Sequence, residues 1–299
     1  MDTQQWMGLT MLPFSLMGFI CNWLIVSAIW RSQNLTQSFV ILTANQSFFE
    51  AIHSSIYLFY VFPMISLDSQ FLKEKSFHAG YLILVCYDSS MQIHFIMTIN
   101  RFLAVFTPFL YPKVFSQRNT KIVSMTSFLV SFGVVTLFFR FFGCNMSYLD
   151  EFWVFDYSKQ LICQAYMNFN DLGKVTFFAM ANVILDSITV TKLSYTKRKM
   201  RRSSSASSPI LQKKEVDFLK QSFSQGLALF LGLSIYIFAP ELVSDPVRAF
   251  LLSTLFWCCL HAFDGLMTIV YNSDVQGYIR KIFTKRRSVV VVSSGVKLF

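Results

Sequence analysis

Seven acidic and histidine side chains lie inside long apolar stretches of this 299-residue sequence. They are Glu50, His53, Asp88, His94, Asp186, His261 and Asp264. Charged groups are costly in hydrocarbon, so such residues are default candidates for ligand contacts, proton relays or ion paths. A buried acid can also be protonated, or paired with a neighbouring helix, for purely structural reasons. How these residues are grouped is therefore more informative than any single one.

Helical geometry groups some of these residues, because positions three or four apart share one face of a helix. His261 and Asp264 are three residues apart, which favours a hydrogen-bonded cluster with Glu50. Asp88 points towards a neighbouring helix instead of the face that carries Arg101. These patterns predict polar contacts between helices in the interior of the protein.

No spacing of these residues matches a catalytic motif. The sequence has no His-Glu-x-x-His metal pattern, no nucleophile elbow and no phosphate-binding loop. The last apolar stretch, residues 249–271, contains no lysine, so a Schiff base to a chromophore has no anchor there. We expect neither enzymatic activity nor a cofactor.

The composition indicates a membrane protein. The chain is 54% apolar and 17% aromatic, and only 14% of its residues are charged, against about a quarter in soluble domains. The mean hydropathy is +0.48. A net charge of +10 would suggest nucleic acid as a partner of a soluble protein. In a membrane protein, the positions of the basic residues instead indicate the orientation of the chain in the membrane. We therefore expect no nucleic-acid partner.

The apolar stretches predict an all-α protein with seven transmembrane helices, because about 20 apolar residues cross a bilayer. The windows are about 8–30, 38–65, 80–105, 122–142, 172–191, 223–239 and 249–271. The fifth and sixth are the weakest, so six spans is the alternative count. The period-two alternation of membrane β-strands is absent.

The distribution of Lys and Arg predicts the orientation. With the N-terminus outside and the C-terminus inside, most of the 26 basic residues fall on the inner side. The largest groups lie in the loop 192–220 and in the tail 280–297. Most acidic loop residues fall outside.

The long outer loop, about residues 143–170, carries Cys144 and Cys163. Both would face an oxidising compartment, and closing a loop of this length contributes roughly 3 kcal/mol on the chain-entropy model. We expect them to pair; the alternatives are a bond from one of them to Cys86, or free thiols. Asn145 begins an Asn-x-Ser glycosylation acceptor on the same side.

The third inner loop holds a basic run, 197–202, followed by a serine run, 203–208. It is either a solvated loop that enforces topology or a segment attracted to anionic lipid and regulated by phosphorylation. Residues 275–283 have the spacing of a short amphipathic helix on the inner leaflet. The chain therefore divides into a seven-span domain, 1–283, and a short basic cytoplasmic tail, 284–299.

The inner end of the third window carries a recognisable segment. Its residues are Asn100, Arg101 and Phe102, then Pro108 and Tyr111. This segment resembles the Asp-Arg-Tyr segment of rhodopsin-like G-protein-coupled receptors. Asn22 and Glu50 also fall where that superfamily keeps an asparagine in the first helix and an acid in the second.

Within the superfamily, the sequence is similar to nematode serpentine chemoreceptors of class X, over roughly residues 18–283. The further matching pieces are Phe115-Ser116 with Thr120, the Cys144…Trp153-Val154-Phe155…Cys163 loop and His261-Ala262-Phe263-Asp264-Gly265 running to Asn272. Three features depart from the superfamily pattern. Asn100 replaces the usual acid, Asp264-Gly265 replaces Asn-Pro, and the sixth window lacks Cys-Trp-x-Pro.

The resemblance implies a receptor in the plasma membrane of sensory neurons, including their cilia. Such a receptor binds an environmental small molecule from outside and activates a heterotrimeric G protein inside. The segment from Asn100 to Tyr111 would carry the coupling, with Arg101 as a cation available to an acidic partner. Asn22, Glu50, His261 and Asp264 would form an intramembrane polar network. Membrane lipid, and a kinase with arrestin acting on the 203–208 serine run, are the further partners implied.

The outer halves of the spans offer a mostly apolar and aromatic lining for a ligand. The candidate contacts are Ile83, Leu84, Tyr87, Tyr236 and Trp257. An apolar interior is also what plain helix packing produces.

Two other functions fit the same residues. A receptor for an internal neuropeptide or small transmitter is the nearer alternative, because the outer acids suit a basic peptide. A ligand-gated channel or transporter would use Glu50, Asp88, Asp186 and Asp264 as an ion path.

Overall fold

The computed structural model describes residues 2–32, 37–202, 209–238, 245–273 and 275–281, which form a bundle of seven long helices. The helices are α1 (Thr3–Ser32), α2 (Ser38–Ser66), α3 (Ser76–Phe106), α4 (Gln117–Phe141), α5 (Lys174–Arg202), α6 (Pro209–Phe238) and α7 (Pro246–Tyr271). In the described residues, six segments are long and apolar enough to cross a membrane: α1 to α4, α7 and the stretch Leu161–Thr196 that contains most of α5. Helix α6 is the further long helix.

Helix α3 lies at the centre of the bundle. It packs against α2, α4, α5 and α6, while α7 closes the ring by packing against α1 and α6. Because α3 is surrounded in this way, it buries polar residues along most of its length, including Asp88, His94 and Arg101.

Helix α4 shows why these segments form a membrane bundle and not a soluble one. Its buried face carries Ser124, Ser127 and Ser131, whereas Met125 and Leu129 are more than half exposed. Small polar residues inside and large apolar residues outside are typical of helices that pack together in lipid.

Side-chain caps begin two of the helices. The Ser116 hydroxyl accepts a hydrogen bond from the Asn119 amide at 3.2 Å, before α4. The Asp245 carboxylate accepts one from the Arg248 amide at 3.2 Å, with Pro246 at the first position of α7. Both follow the usual preference for Ser, Asp and Pro at helix starts.

A β-hairpin covers one end of the bundle, here called the hairpin end. Strand β1 (Met146–Leu149) pairs antiparallel with β2 (Val154–Tyr157). The predicted disulfide between Cys144 and Cys163 is confirmed, with a Cα–Cα distance of 5.1 Å. The alternative bond to Cys86 is wrong, because Cys86 is a free thiol in α3.

The hairpin is attached to helices and loops around it. The Tyr148 amide donates to the Ser76 hydroxyl at 3.0 Å. The Lys73 Nζ lies 2.5 Å from carboxylate oxygens of both Asp68 and Asp150. Burial lowers the pKa of Lys73, but the hydrogen bonds and charges of the two aspartates outweigh burial and raise it above its usual value.

The opposite end of the bundle is here called the arginine end, because Arg101 lies near the C-terminus of α3. A further short helix follows α7 at this end, over residues 275–281. Its Val275 is buried against Ile25, Ile29 and Val40. Residues 282–283 of the predicted amphipathic helix, the serine run 203–208, the tail 284–299 and the Tyr236 side chain lie outside the described part of the structure.

Candidate functional site

A cavity of about 100 Å³ lies under the hairpin, here called the hairpin-end cavity. Its lining comprises His53, Tyr57, Ile83, Leu84, Tyr87, Met146, Phe155, Asp156, Tyr157, Met167, Leu172, Leu233, Ser253, Thr254, Trp257 and His261. Aromatic and apolar side chains dominate this lining, with a few polar groups among them. That combination is typical of small-molecule sites.

Four of the five predicted ligand contacts line this cavity. Ile83, Leu84 and Tyr87 come from α3, and Trp257 comes from α7. The Tyr87 and Trp257 rings meet edge to face, with centroids 5.2 Å apart.

Three π-helical turns shape the cavity wall. They span Tyr57–Val61 in α2, Met167–Gly173 before α5 and Leu251–Leu255 in α7. Each contributes lining residues, such as Tyr57, Met167 and Thr254. Such turns insert an extra residue into a helix and are frequent at functional sites.

The hairpin residues of the lining were not predicted from the sequence as contacts. Phe155, Asp156 and Tyr157 reach the cavity because the disulfide and the contacts with α3 fold the hairpin over the bundle. The Thr254 hydroxyl also donates to the Trp153 carbonyl at 2.9 Å, which ties α7 to the hairpin. The sequence pointed to this loop through its two cysteines and the Trp153-Val154-Phe155 segment, but it did not indicate that the loop reaches a cavity.

Two histidines of the cavity lining pack against each other. The rings of His53 and His261 lie 3.6 Å apart between centroids. Below them, the Glu50 carboxylate contacts His261 Nδ1 through one oxygen and accepts a hydrogen bond from the Ser90 hydroxyl through the other. All four side chains are at most 4% exposed, so this is a buried polar cluster that joins α2, α3 and α7.

Asn22 and Asp264 lie beside this cluster, but hydrogen bonds do not join all four residues of the predicted network within the described residues. The Asn22 amide donates to the His261 carbonyl at 3.4 Å. A Cβ on Gly265 would be 2.8 Å from Asn22 Oδ1, so a larger residue where α1 and α7 meet would displace the Asn22 side chain. The Asp264 carboxylate does not hydrogen-bond Glu50, and its Oδ1 makes no hydrogen bond within the described residues.

Asp88 makes the expected contact with a neighbouring helix, but through a partner that the sequence did not suggest. Its carboxylate pairs with Lys174, at the start of α5, and accepts a hydrogen bond from Gln92 at 3.0 Å. Lys174 also donates to Asn170 at 2.9 Å. In the sequence, Lys174 is indistinguishable from a loop cation at a membrane boundary.

A second cavity, of about 530 Å³, lies at the arginine end and is here called the arginine-end cavity. Among the predicted coupling residues, Asn100, Arg101 and Tyr111 line it. Phe102 does not line it; this half-buried side chain stacks on Phe106, with ring centroids 4.5 Å apart. Pro108 is exposed in the turn after α3.

Arg101 is only 7% exposed. Its guanidinium lies over the Phe39 ring, 4.8 Å from the centroid, a geometry that stabilises a cation. Asp186 of α5 attracts it electrostatically, but in the described residues none of its three guanidinium nitrogens has a hydrogen-bond partner.

The remaining predicted site residue, Asn145, is exposed beside the disulfide. In the part of the chain that the structure describes, no three or more His, Cys, Asp or Glu side chains are grouped so as to hold a metal ion.

Similarity to known proteins agrees with this geometry. Residues 12–272 match the family described as serpentine type 7TM GPCR chemoreceptor Srx. Serpentine receptor class X 45 of Caenorhabditis elegans is 28% identical over 288 residues, which cover 89% of this chain and 78% of that protein. Serpentine receptor class X-43 of the same organism is 23% identical over 206 residues, covering 67% and 64%.

The fold matches that of squid rhodopsin, with a TM-score of 0.76 and 15% identity, over 93% of this chain and 80% of that one. The two structures therefore share their architecture. Because the family match extends over most of its residues, the chain belongs to the Srx family of serpentine seven-transmembrane G-protein-coupled chemoreceptors.

Proposed function

We propose that this multi-pass membrane receptor binds an environmental small molecule in the hairpin-end cavity and activates a heterotrimeric G protein at the arginine end. The observation that carries the proposal is the position of His261. This side chain lines the cavity and also holds the buried Glu50 carboxylate. A ligand that moves His261 would therefore alter the packing of α2, α3 and α7 at once.

The proposed orientation places the hairpin end outside and the arginine end inside. The disulfide then lies in an oxidising compartment, where disulfides persist. The basic loop 192–220 then lies inside, as the positive-inside rule requires. We further propose that the receptor resides in the plasma membrane of sensory neurons, including their cilia, and that a kinase and arrestin act on the serine run 203–208.

The size of the hairpin-end cavity limits what it can enclose. A volume of about 100 Å³ is below the roughly 300–1,000 Å³ of typical ligand pockets, so the cavity encloses a very small molecule or one part of a larger one, and not a peptide. The Tyr57, Tyr87 and Trp257 rings favour a ligand with apolar or aromatic surface. These features favour an environmental chemical or a small transmitter over a neuropeptide.

The ligand site can be tested with variants of the two facing aromatic residues. Cells that express the receptor are screened with a library of small volatile and water-soluble chemicals, with G-protein activation as the readout. For any active compound, Tyr87→Ala and Trp257→Ala should each raise the half-maximal concentration about 10-fold or more, because buried aromatic residues dominate binding energy. Phe59→Ala is the control, since this aromatic side chain is 65% exposed. Unchanged responses in both cavity variants would place the ligand elsewhere.

Coupling can be tested separately with purified components. Agonist-stimulated nucleotide exchange on a purified heterotrimer should be lost in Arg101→Ala, while agonist binding is retained. Arg118→Ala is the matched control, because Arg118 is exposed at the same end and does not line the cavity. An agonist-evoked current that survives Arg101→Ala would instead favour the channel alternative.

A further inference from the structure

The arginine-end cavity contains a buried cation without a hydrogen-bonded counter-ion. The residue before Arg101 is Asn100, whose side chain is 2% exposed and whose Nδ2 also makes no hydrogen bond within the described residues. Asp186 attracts the guanidinium from α5, but its carboxylate does not hydrogen-bond Arg101 within the described residues. Unsatisfied buried donors are costly. Arg101 and Asn100 line the cavity, and their four donor nitrogens that lack a partner within the described residues are buried in its wall, where they could turn towards an anion that enters it.

A groove between α5 and α6 adjoins the arginine-end cavity. It holds about 500 Å³, and its lining combines apolar with polar residues: Val190, Leu193, Leu219 and Phe223, with Ser187, Thr191, Ser194 and Lys220. Leu193 and Leu219 line both cavities, so the two are neighbours across this pair of side chains. The α5 part of the groove lies within the apolar span Leu161–Thr196. Leu193 and Leu219 thus form the wall that separates the groove from the cavity with the buried cation.

We propose that a single-chain lipid with a carboxylate headgroup, a fatty acid, occupies these two cavities. Its carboxylate binds Arg101 and Asn100, and its chain passes between Leu193 and Leu219 into the α5–α6 groove. Arginine binds carboxylates through two parallel hydrogen bonds, which suits a headgroup of this shape. At roughly 30 Å³ for each heavy atom, the volume of one water in the liquid, the arginine-end cavity of about 530 Å³ and the groove of about 500 Å³ together have room for one single-chain lipid but not for a two-chain phospholipid.

The binding site itself does not depend on the proposed signalling. One consequence does rest on the proposed function: the lipid would compete with a G protein for Arg101. An occupied receptor would then activate the G protein less than an empty one.

Photolabelling tests the binding site without a G protein and without a chemical ligand. The purified receptor in nanodiscs is labelled with a diazirine analogue of palmitic acid, and the labelled peptides are mapped by mass spectrometry. We expect labelling concentrated in residues 187–194 and 218–223. Excess palmitate should reduce it at least 10-fold, whereas methyl palmitate, which lacks the charge, should not.

Two pairs of variants locate the headgroup and the chain. Arg101→Gln should abolish the protection by palmitate, and Arg118→Gln, an exposed arginine at the same end, should not. Leu193→Trp should block the passage and reduce labelling at least 10-fold. Ile188→Trp is its control, because this α5 side chain is 44% exposed and lines neither cavity.

Three outcomes would overturn the proposal. They are equal competition by methyl palmitate, labelling spread evenly over the outer surface of the bundle, and competition by phosphatidylserine but not by palmitate. The first and third are measured on the unaltered receptor, so they decide the matter even if Arg101→Gln does not fold. A receptor that never activates a G protein would leave these binding results unchanged.

Discussion

At the scale of single residues, the Glu50 carboxylate is held on both sides in the bundle interior. It is 1% exposed, and each of its oxygens has a partner, Ser90 on one side and His261 on the other. Breaking a buried pair by removing one partner is far more costly than replacing both, because a charge is left uncompensated. His261 therefore has a structural role in addition to its place in the cavity lining.

The variant His261→Ala should lower the free energy of unfolding by about 3 kcal/mol. Thermal unfolding of the purified receptor in detergent measures this loss. His78→Ala provides the comparison, because His78 is exposed on α3 and the same change there should have little effect. Equal melting temperatures of the two variants would mean that the contact between Glu50 and His261 does not stabilise the fold.

At the scale of elements, the hairpin and α3 approach too closely for any side chain at Gly80. A Cβ at this position would be 2.0 Å from the Met146 carbonyl oxygen, a backbone atom that cannot move alone. The hairpin forms one wall of the hairpin-end cavity, so its position on α3 determines the shape of that cavity.

Gly80→Ala should displace the hairpin, destabilise the receptor and weaken ligand binding together. Gly133→Ala is the matched control within α4, where a new Cβ meets nothing within 4 Å. This control should stabilise the protein slightly, by roughly 0.5–1 kcal/mol, because alanine favours helices over glycine. Hydrogen exchange of the hairpin amides measures the displacement, and equal protection in both variants would contradict it.

The contacts of Lys73 with Asp68 and Asp150 predict a pH dependence for the same hairpin. Because the pKa of Lys73 is raised in the folded state, its contribution is complete below the usual lysine pKa of about 10.4. The contribution is lost as the pH rises through the raised folded-state pKa. The difference in melting temperature between the wild type and Lys73→Met should be present at pH 8 and shrink in a series of more alkaline buffers. A difference that grows with pH would contradict this sign.

At the scale of the whole molecule, the two cavities lie at opposite ends of one bundle. The hairpin-end cavity is aromatic and lies under a disulfide-bonded cover, whereas the arginine-end cavity contains a buried cation. The proposal that one cavity binds the ligand and the other end couples to a G protein depends on which end faces the outside of the cell.

Epitope accessibility tests this orientation. One tag is placed before Trp6 and another within the serine run 203–208, and each is probed in intact and in permeabilised cells. The first tag should be reached in intact cells and the second only after permeabilisation, because the basic loop is retained inside. If the serine run is reached from outside, Arg101 faces away from the G protein and the proposed coupling fails.

The sequence alone determined a membrane bundle of helices, because the length of each apolar window is a local quantity. Its motifs pointed to the family, and it favoured the bond between Cys144 and Cys163 over the alternatives without excluding them. Helical spacing also placed His261 on a face towards Glu50 and directed Asp88 to a neighbouring helix. Four of the residues that line the hairpin-end cavity, from α3 and α7, were predicted because they lie in those halves of their helices that the predicted orientation places on the outer side.

Only the tertiary structure decided which side chains meet. A π turn adds one residue to a helix and rotates everything after it by about 100°, and three such turns lie around the hairpin-end cavity. Apolar composition does not reveal that rotation, so the contact between the His53 and His261 rings was not predictable. The contact between Lys174 and Asp88 joins residues that are 86 positions apart in the sequence. The hairpin reaches the cavity because Gly80 of α3 has no side chain to obstruct it. Contacts at such separations depend on how the helices pack, whereas hydropathy and spacing describe each helix by itself.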